Sequence, residues 1–133
     1  MTSPGISATG GESMRIAVTT SGTELSDRFD TRFGRAANLI IYDLESEQWE
    51  CHTNKQNYDA VQGAGIQAAQ TVSRLGASAL VTGHVGPKAF KVLQASGIKA
   101  FTADAGTAGD AIGAFRRGEL TEMAGPDVEG HWF

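Results

Sequence analysis

Apolar positions along this chain follow two rhythms. From residue 15 to 54 they fall in short β-branched or alternating runs: RIAVTT at 15–20, NLIIYDL at 38–44 and QWECHTN at 48–54. These predict three strands, and the short polar turn of Glu45, Ser46 and Glu47 predicts that the second and third form an antiparallel hairpin. After residue 62 helical and strand patterns alternate. Ile66, Ala69, Val72 and Leu75 recur at helical spacing and predict a helix over 62–75 that stops at Gly76. SALVTG at 78–83 and IKAFTA at 98–103 read as strands four and five. Between them a second helix opens with Gly86 at the N-cap and Pro87 at the first helical position, where a missing N–H costs nothing, and ends near Gly97. A third has Thr107 as N-cap, Asp110 three residues on, an apolar stripe of Ala108, Ala111, Ile112 and Phe115, and Arg116 and Arg117 before Gly118.

The order is therefore βββαβαβα. Right-handed crossovers make strands one, four and five parallel, and the hairpin extends one edge. This predicts an α/β, ribonuclease H-like three-layer fold: a five-stranded mixed sheet of order 3-2-1-4-5 with three helices. Residues 1–13, small and polar, are expected to form a flexible arm, and residues 14–133 a single domain.

Composition narrows the function classes. A chain of 133 residues holds one core. A net charge of −4 with interspersed signs argues against nucleic acid or an anionic membrane surface as partner. No apolar run approaches the roughly 18 residues of a membrane span, and residues 1–13 lack a secretory pattern, so a cytoplasmic location is expected. A monomer is also expected. The single cysteine, Cys51, rules out an internal disulfide and a multi-cysteine metal cage from one chain. Lying in strand three with Trp49 and Thr53 on its face, it reads as a packed thiol rather than a nucleophile or ligand.

Ligands of such sheets lie beyond the carboxyl ends of the parallel strands. That edge gathers four loops, at 20–35, 58–65, 83–88 and 103–107, and the last three each lead into a helix N-terminus, which favours an anion. Gly63, Gly65, Gly83, Gly86 and Gly106 would let a ligand approach the main chain. Ser21, Arg32, Arg35 and Lys88 could add donors or charge, and His84, between a strand end and a helix start, could donate a hydrogen bond or ligate a metal. The nuclease version of this fold needs clustered carboxylates, but the corresponding places carry Thr19 to Ser21, a first helix without acids, and Gly83 with His84. Phosphate-loop and dinucleotide fingerprints are absent. The C-terminal GHWF, with Trp132, Phe133 and His131, is expected to pack on a core edge, with a lid over the site as the alternative.

Four segments carry a family resemblance: RFGRA at 32–36, GAGIQAAQ at 63–70, TGHVGPKAFKVLQASGIKAF at 82–101 and AIGAFRRGEL at 111–120. Together they resemble the dinitrogenase iron–molybdenum cofactor biosynthesis family, over residue 14 to about 120. The resemblance implies the fold argued above and a protein that holds a metal–sulfur cluster and passes it on, not an enzyme. Within that family the chain looks most like the stand-alone orange proteins, which carry a molybdenum–copper sulfide cluster without cysteine ligation. Carried over, the matched positions are Phe33, Gly34 and Arg35, the pair Gly63 and Gly65, and the turn Gly83, His84, Val85, Gly86, Pro87 and Lys88. The chain lacks the extra histidines and cysteines frequent in nitrogenase carriers. A compact, sulfide-saturated anion needs N–H donors more than thiolates, and glycine-rich helix starts supply them. The expected partners are the metal–sulfide cluster itself and a partner ATPase or other cluster-handling protein. Two other classes fit the same loops: a binding module for a phosphate-bearing small molecule, and a metal-free interaction protein for a partner ATPase or regulator.

Overall fold

The computed structural model describes residues 14–54, 64–103 and 106–125. Strand β1 (Arg15–Thr20) pairs antiparallel with β2 (Asn38–Asp43), which pairs antiparallel with β3 (Trp49–Thr53). On its other side β1 lies parallel to β4 (Ala79–Thr82), in turn parallel to β5 (Lys99–Thr102). A further short strand, β6 (Thr121–Glu122), adds antiparallel to β5, so the order among the described residues is 3-2-1-4-5-6. The expected order holds; the sixth strand was not foreseen. Both its side chains are exposed, so it leaves no alternating apolar signal to read.

Helices α1 (Ala64–Arg74), α2 (Pro87–Ala95) and α3 (Ala108–Arg116) complete the three layers. Alternation along the strands decides what each helix covers. Ala17, Leu39, Ile41 and Leu80 face Ala69 and Val72 of α1 and Phe90 and Leu93 of α2. Ile16, Val18, Ile40 and Val81 face Ala108, Ala111 and Ile112 of α3. β1 and β4 are covered on both sides, which is why their sequences read as continuous apolar runs rather than clean alternations. The helices stop where expected, at Gly76, Gly97 and Gly118, each with φ between 71° and 84°. The expected arm at 1–13, the helix start before Ala64 and the GHWF tail lie outside the described residues.

The segment between β1 and β2, whose sequence looks polar and irregular, is anchored at two points. Phe29, 4% exposed, enters the core on the α3 side, and Phe33, 2% exposed, enters it on the side of α1 and α2. The segment is thereby strapped across the carboxyl end of the parallel strands. Phe33, Gly34 and Arg35 form a 3-10 turn against α1. Its carbonyl side is held by Asn54, a buried residue just after β3. The Asn54 side-chain amide donates to the Phe33 and Ala36 carbonyls at 3.3 and 2.9 Å, and its backbone N–H donates to Ala37 at 2.9 Å.

Candidate functional site

At the carboxyl edge the chain turns back on β1 and lays residues 28–32 between two neighbours. On one side the Thr31 carbonyl accepts from the backbone N–H groups of Gly83 and His84 at 3.2 and 2.9 Å, joining Arg32 and His84 in a parallel bridge. On the other, Arg28 bridges Thr107, and the Phe29 N–H donates to the Gly106 carbonyl at 2.9 Å. Below, the Thr19 hydroxyl reaches both the Asp30 carbonyl and the Thr82 hydroxyl. Each hydroxyl has one proton, so the buried chain runs from Thr82 to Thr19 to Asp30. Residues 28–32 are thus a fixed wall, and the expected site lies on both sides of it.

On the α2 side stand the turn residues Gly83 to Lys88, with the 3-10 turn nearby. Gly83 is buried, and a Cβ there would lie 2.4 Å from the Thr31 Cβ and 2.7 Å from the Thr31 carbonyl oxygen. Only glycine allows the wall to close on the turn. Gly86 is the opposite case: it is exposed, extended at φ −72°, and a Cβ would meet nothing within 4 Å. Val85 and Phe33 are core residues, 1% and 2% exposed, so they hold the turns in place and could offer a ligand only their main chain. Gly65 also packs: its Cβ would sit 3.3 Å from the Ala89 Cβ, so its missing side chain lets α1 approach α2. His84, Lys88 and Arg35 are exposed, and among the described residues neither Lys88 nor Arg35 has an ion-pair partner. Gly63 lies outside the described residues.

Arg32 does not stand ready for a ligand as a free charge. Its Nε and Nη2 both donate to the Asp30 carboxylate at 3.0 Å, and its backbone N–H donates to the same group at 2.9 Å. Burial would push the Asp30 carboxyl up, but these Arg32 hydrogen bonds and charge outweigh it and hold the group below the ordinary aspartate value of 3.8. A carboxyl depressed in the folded state contributes stability above its unfolded pKa and loses it as pH falls through the folded value. Wild-type stability is therefore expected to decline on acidification below about pH 4. Asp30→Asn should flatten that acid limb and lower stability by about 1–3 kcal/mol at neutral pH, read by urea melts across the acid range; an unchanged acid limb would discount the pair. The pairing was legible as D-x-R in the sequence but carried no weight without the burial of Asp30.

The helix starts differ more than their sequences do. At α3 the expected capping box is present: the Thr107 hydroxyl accepts from the Asp110 N–H, and the Asp110 carboxylate accepts from the Thr107 N–H, both at 3.0 Å. The next two N–H groups are also taken, Ala108 by the Asp27 carbonyl at 2.9 Å and Gly109 by the Leu25 carbonyl at 2.8 Å. The expectation that this terminus serves an anion is therefore wrong, because the chain's own oxygens already occupy its donors. At α2 no side chain caps the first turn and Pro87 occupies its start. Among the described residues no acceptor faces the Lys88 and Ala89 N–H groups.

Cys51 behaves as expected of a packed thiol. It joins the α3-side core and lies 3.9 Å from the Gly22 carbonyl. Burial, with the carboxylates of Glu24 and Asp27, pushes the thiol's pKa up. It should react with iodoacetamide much more slowly than a free cysteine at neutral pH, and Cys51→Ser should retain any ligand the wild type holds; rapid alkylation, or loss of ligand in the variant, would reverse that assignment.

On the α3 side of the wall opens a cleft of about 760 Å3, lined among others by Ser21, Arg32 and Thr107 but by none of the turn residues Gly83 to Lys88. Of the expected site residues, Ser21 and Arg32 line this cleft, while the Arg32 backbone also bridges His84 of the turn.

A family model described as dinitrogenase iron–molybdenum cofactor matches residues 13–118. The apo orange protein from Desulfovibrio gigas is 41% identical and superimposes with a TM-score of 0.83, covering 88% of this chain and 98% of that one. The solution structure of a NifB-like protein of the DUF35 family from Thermotoga is 34% identical, with a TM-score of 0.76 over 88% of this chain and 99% of its own. An uncharacterised protein from Methanocaldococcus jannaschii is 26% identical over 100 residues, 74% of this chain and 85% of that protein.

Proposed function

This chain belongs to the dinitrogenase iron–molybdenum cofactor family, and from that premise we propose that it binds and carries an anionic metal–sulfide cluster at the turn Gly83 to Lys88. The cluster is of the molybdenum–copper sulfide type, in keeping with the likeness to the Desulfovibrio gigas orange protein. The chain acts as a carrier rather than a catalyst, works as a monomer in the cytoplasm and hands its cargo to another cluster-handling protein. No helix among the described residues is long and apolar enough to cross a membrane.

The observation that carries this reading is the contrast between the two helix starts. α3 is saturated by the chain's own oxygens, whereas α2 begins with Gly86 and Pro87 and keeps its first donors for an outside acceptor. Those N–H groups and the positive end of the helix favour a compact anion, and Lys88 and Arg35 add charge. Among the described residues no three His, Cys, Asp or Glu side chains gather as metal ligands. A cluster that keeps its own sulfide requires none; it needs hydrogen-bond donors and a cradle of backbone without side chains, which Gly86 offers. His84 is the residue best placed to touch a metal directly.

The test is titration of metal-free protein with tetrathiomolybdate plus Cu(I), followed by desalting, visible absorption and metal analysis. Retention of both metals in fixed ratio with a new visible band is expected. Loss of both on desalting would remove the molybdenum–copper reading.

A further inference from the structure

The cleft on the α3 side of the wall has a chemistry of its own. Arg28 is exposed, and its guanidinium has no ion-pair or hydrogen-bond partner among the described residues. Arg32, across the same cleft, is 66% exposed and spends only its Nε and one Nη2 proton on Asp30, so its remaining donors stay open. Arg28, Arg32 and one acidic residue, Asp30, line the cleft, and the Asp110 carboxylate stands at its edge, accepting from the Thr107 N–H at 3.0 Å. Hydroxyls flank the two arginines. Ser26 is exposed without a partner among the described residues, Ser21 makes only a long contact of 3.3 Å to the Arg28 carbonyl, and Thr107, accepting from Asp110, keeps its proton to donate. Phe29, 4% exposed and packed in the α3-side core, closes the cleft from beneath.

We propose that this cleft is a second binding site, for a phosphoryl dianion held between Arg28, Arg32 and the hydroxyls of Ser21, Ser26 and Thr107. Guanidinium forks and hydroxyls match hard, tetrahedral oxygens, and only guanidinium can meet them in bidentate fashion. The donor set differs in kind from the main-chain N–H groups at α2, so the site is separate from the cluster position. A volume of about 760 Å3 exceeds what one bare dianion fills and falls within the range of small-molecule sites. The helix α3 N-terminus contributes nothing here, since its donors are already taken.

The test uses the full chain with two probes, inorganic phosphate and AMP, followed by calorimetry and by amide shifts. Saturable binding is expected, with shifts centred on Ser26, Arg28 and Thr107. Arg28→Gln should weaken it about tenfold or more while leaving the melting curve unchanged, because the Arg28 side chain holds no structural contact. Ser26→Ala should weaken it less. Tighter binding of AMP than of phosphate would assign the site to a phosphomonoester; equal binding would assign it to the free dianion. Shifts confined to Gly86 through Ala89, unchanged affinity in Arg28→Gln, or no binding of either probe at millimolar concentration would overturn the proposal. Cluster retention is read separately, by metal content after desalting.

Discussion

Gly83→Val is expected to lower stability by about 3 kcal/mol or more and to abolish cluster loading with it. The buried glycine lies where β4 ends, and a Cβ would stand 2.4, 2.7 and 2.9 Å from the Thr31 Cβ, carbonyl oxygen and Cα. Two of those atoms are backbone, so no rotamer change relieves the clash. Either the wall at 28–32 moves away, breaking the Thr31 bonds to the Gly83 and His84 N–H groups, or β4 shifts in a core where Val81 and Leu80 are fully buried. Urea denaturation checks the first effect and metal retention the second. A variant of wild-type stability would mean that the wall yields easily and does not define the site.

Gly86→Val should give the reverse pattern, an intact fold that no longer holds the cluster. Its φ of −72° and ψ of 171° suit valine, and nothing lies within 4 Å of the position a Cβ would take. Exchanging a glycine N-cap for valine costs about 1 kcal/mol at most. The branched side chain would cover the exposed start of α2, where the Lys88 and Ala89 N–H groups await an acceptor. Retained molybdenum and copper after desalting should fall to near background while the thermal midpoint drops by only a few degrees. Wild-type retention would move the cluster away from this helix start. The pair of variants separates a glycine needed for closure from one needed for access, although both stand in the same short turn.

The sequence made several of these features legible because they are local. Pro87 after Gly86, the capping pair Thr107 and Asp110, and glycine stops at 76, 97 and 118 each depend on a few adjacent residues, and the structure has them all. Two phenylalanines in a polar loop, at 29 and 33, were a signal that the segment is anchored, and a buried asparagine at 54 was the partner its turn required. Neither could be interpreted without knowing which side of the sheet each residue meets.

From its own pattern of apolar positions, the sequence determined the strand and helix order, the parallel core of β1, β4 and β5, and the edge at which the loops gather. It did so because side-chain period and chain handedness are local and leave few topologies. Only the tertiary structure decided which of the gathered groups remain available to a ligand. The carbonyls of Leu25 and Asp27 close the start of α3, Asp30 engages Arg32, and residues 28–32 divide one expected site into a turn and a cleft. Backbone carbonyls are identical at every residue, so where they point is set by the path of the folded chain and leaves no mark in the order of the amino acids.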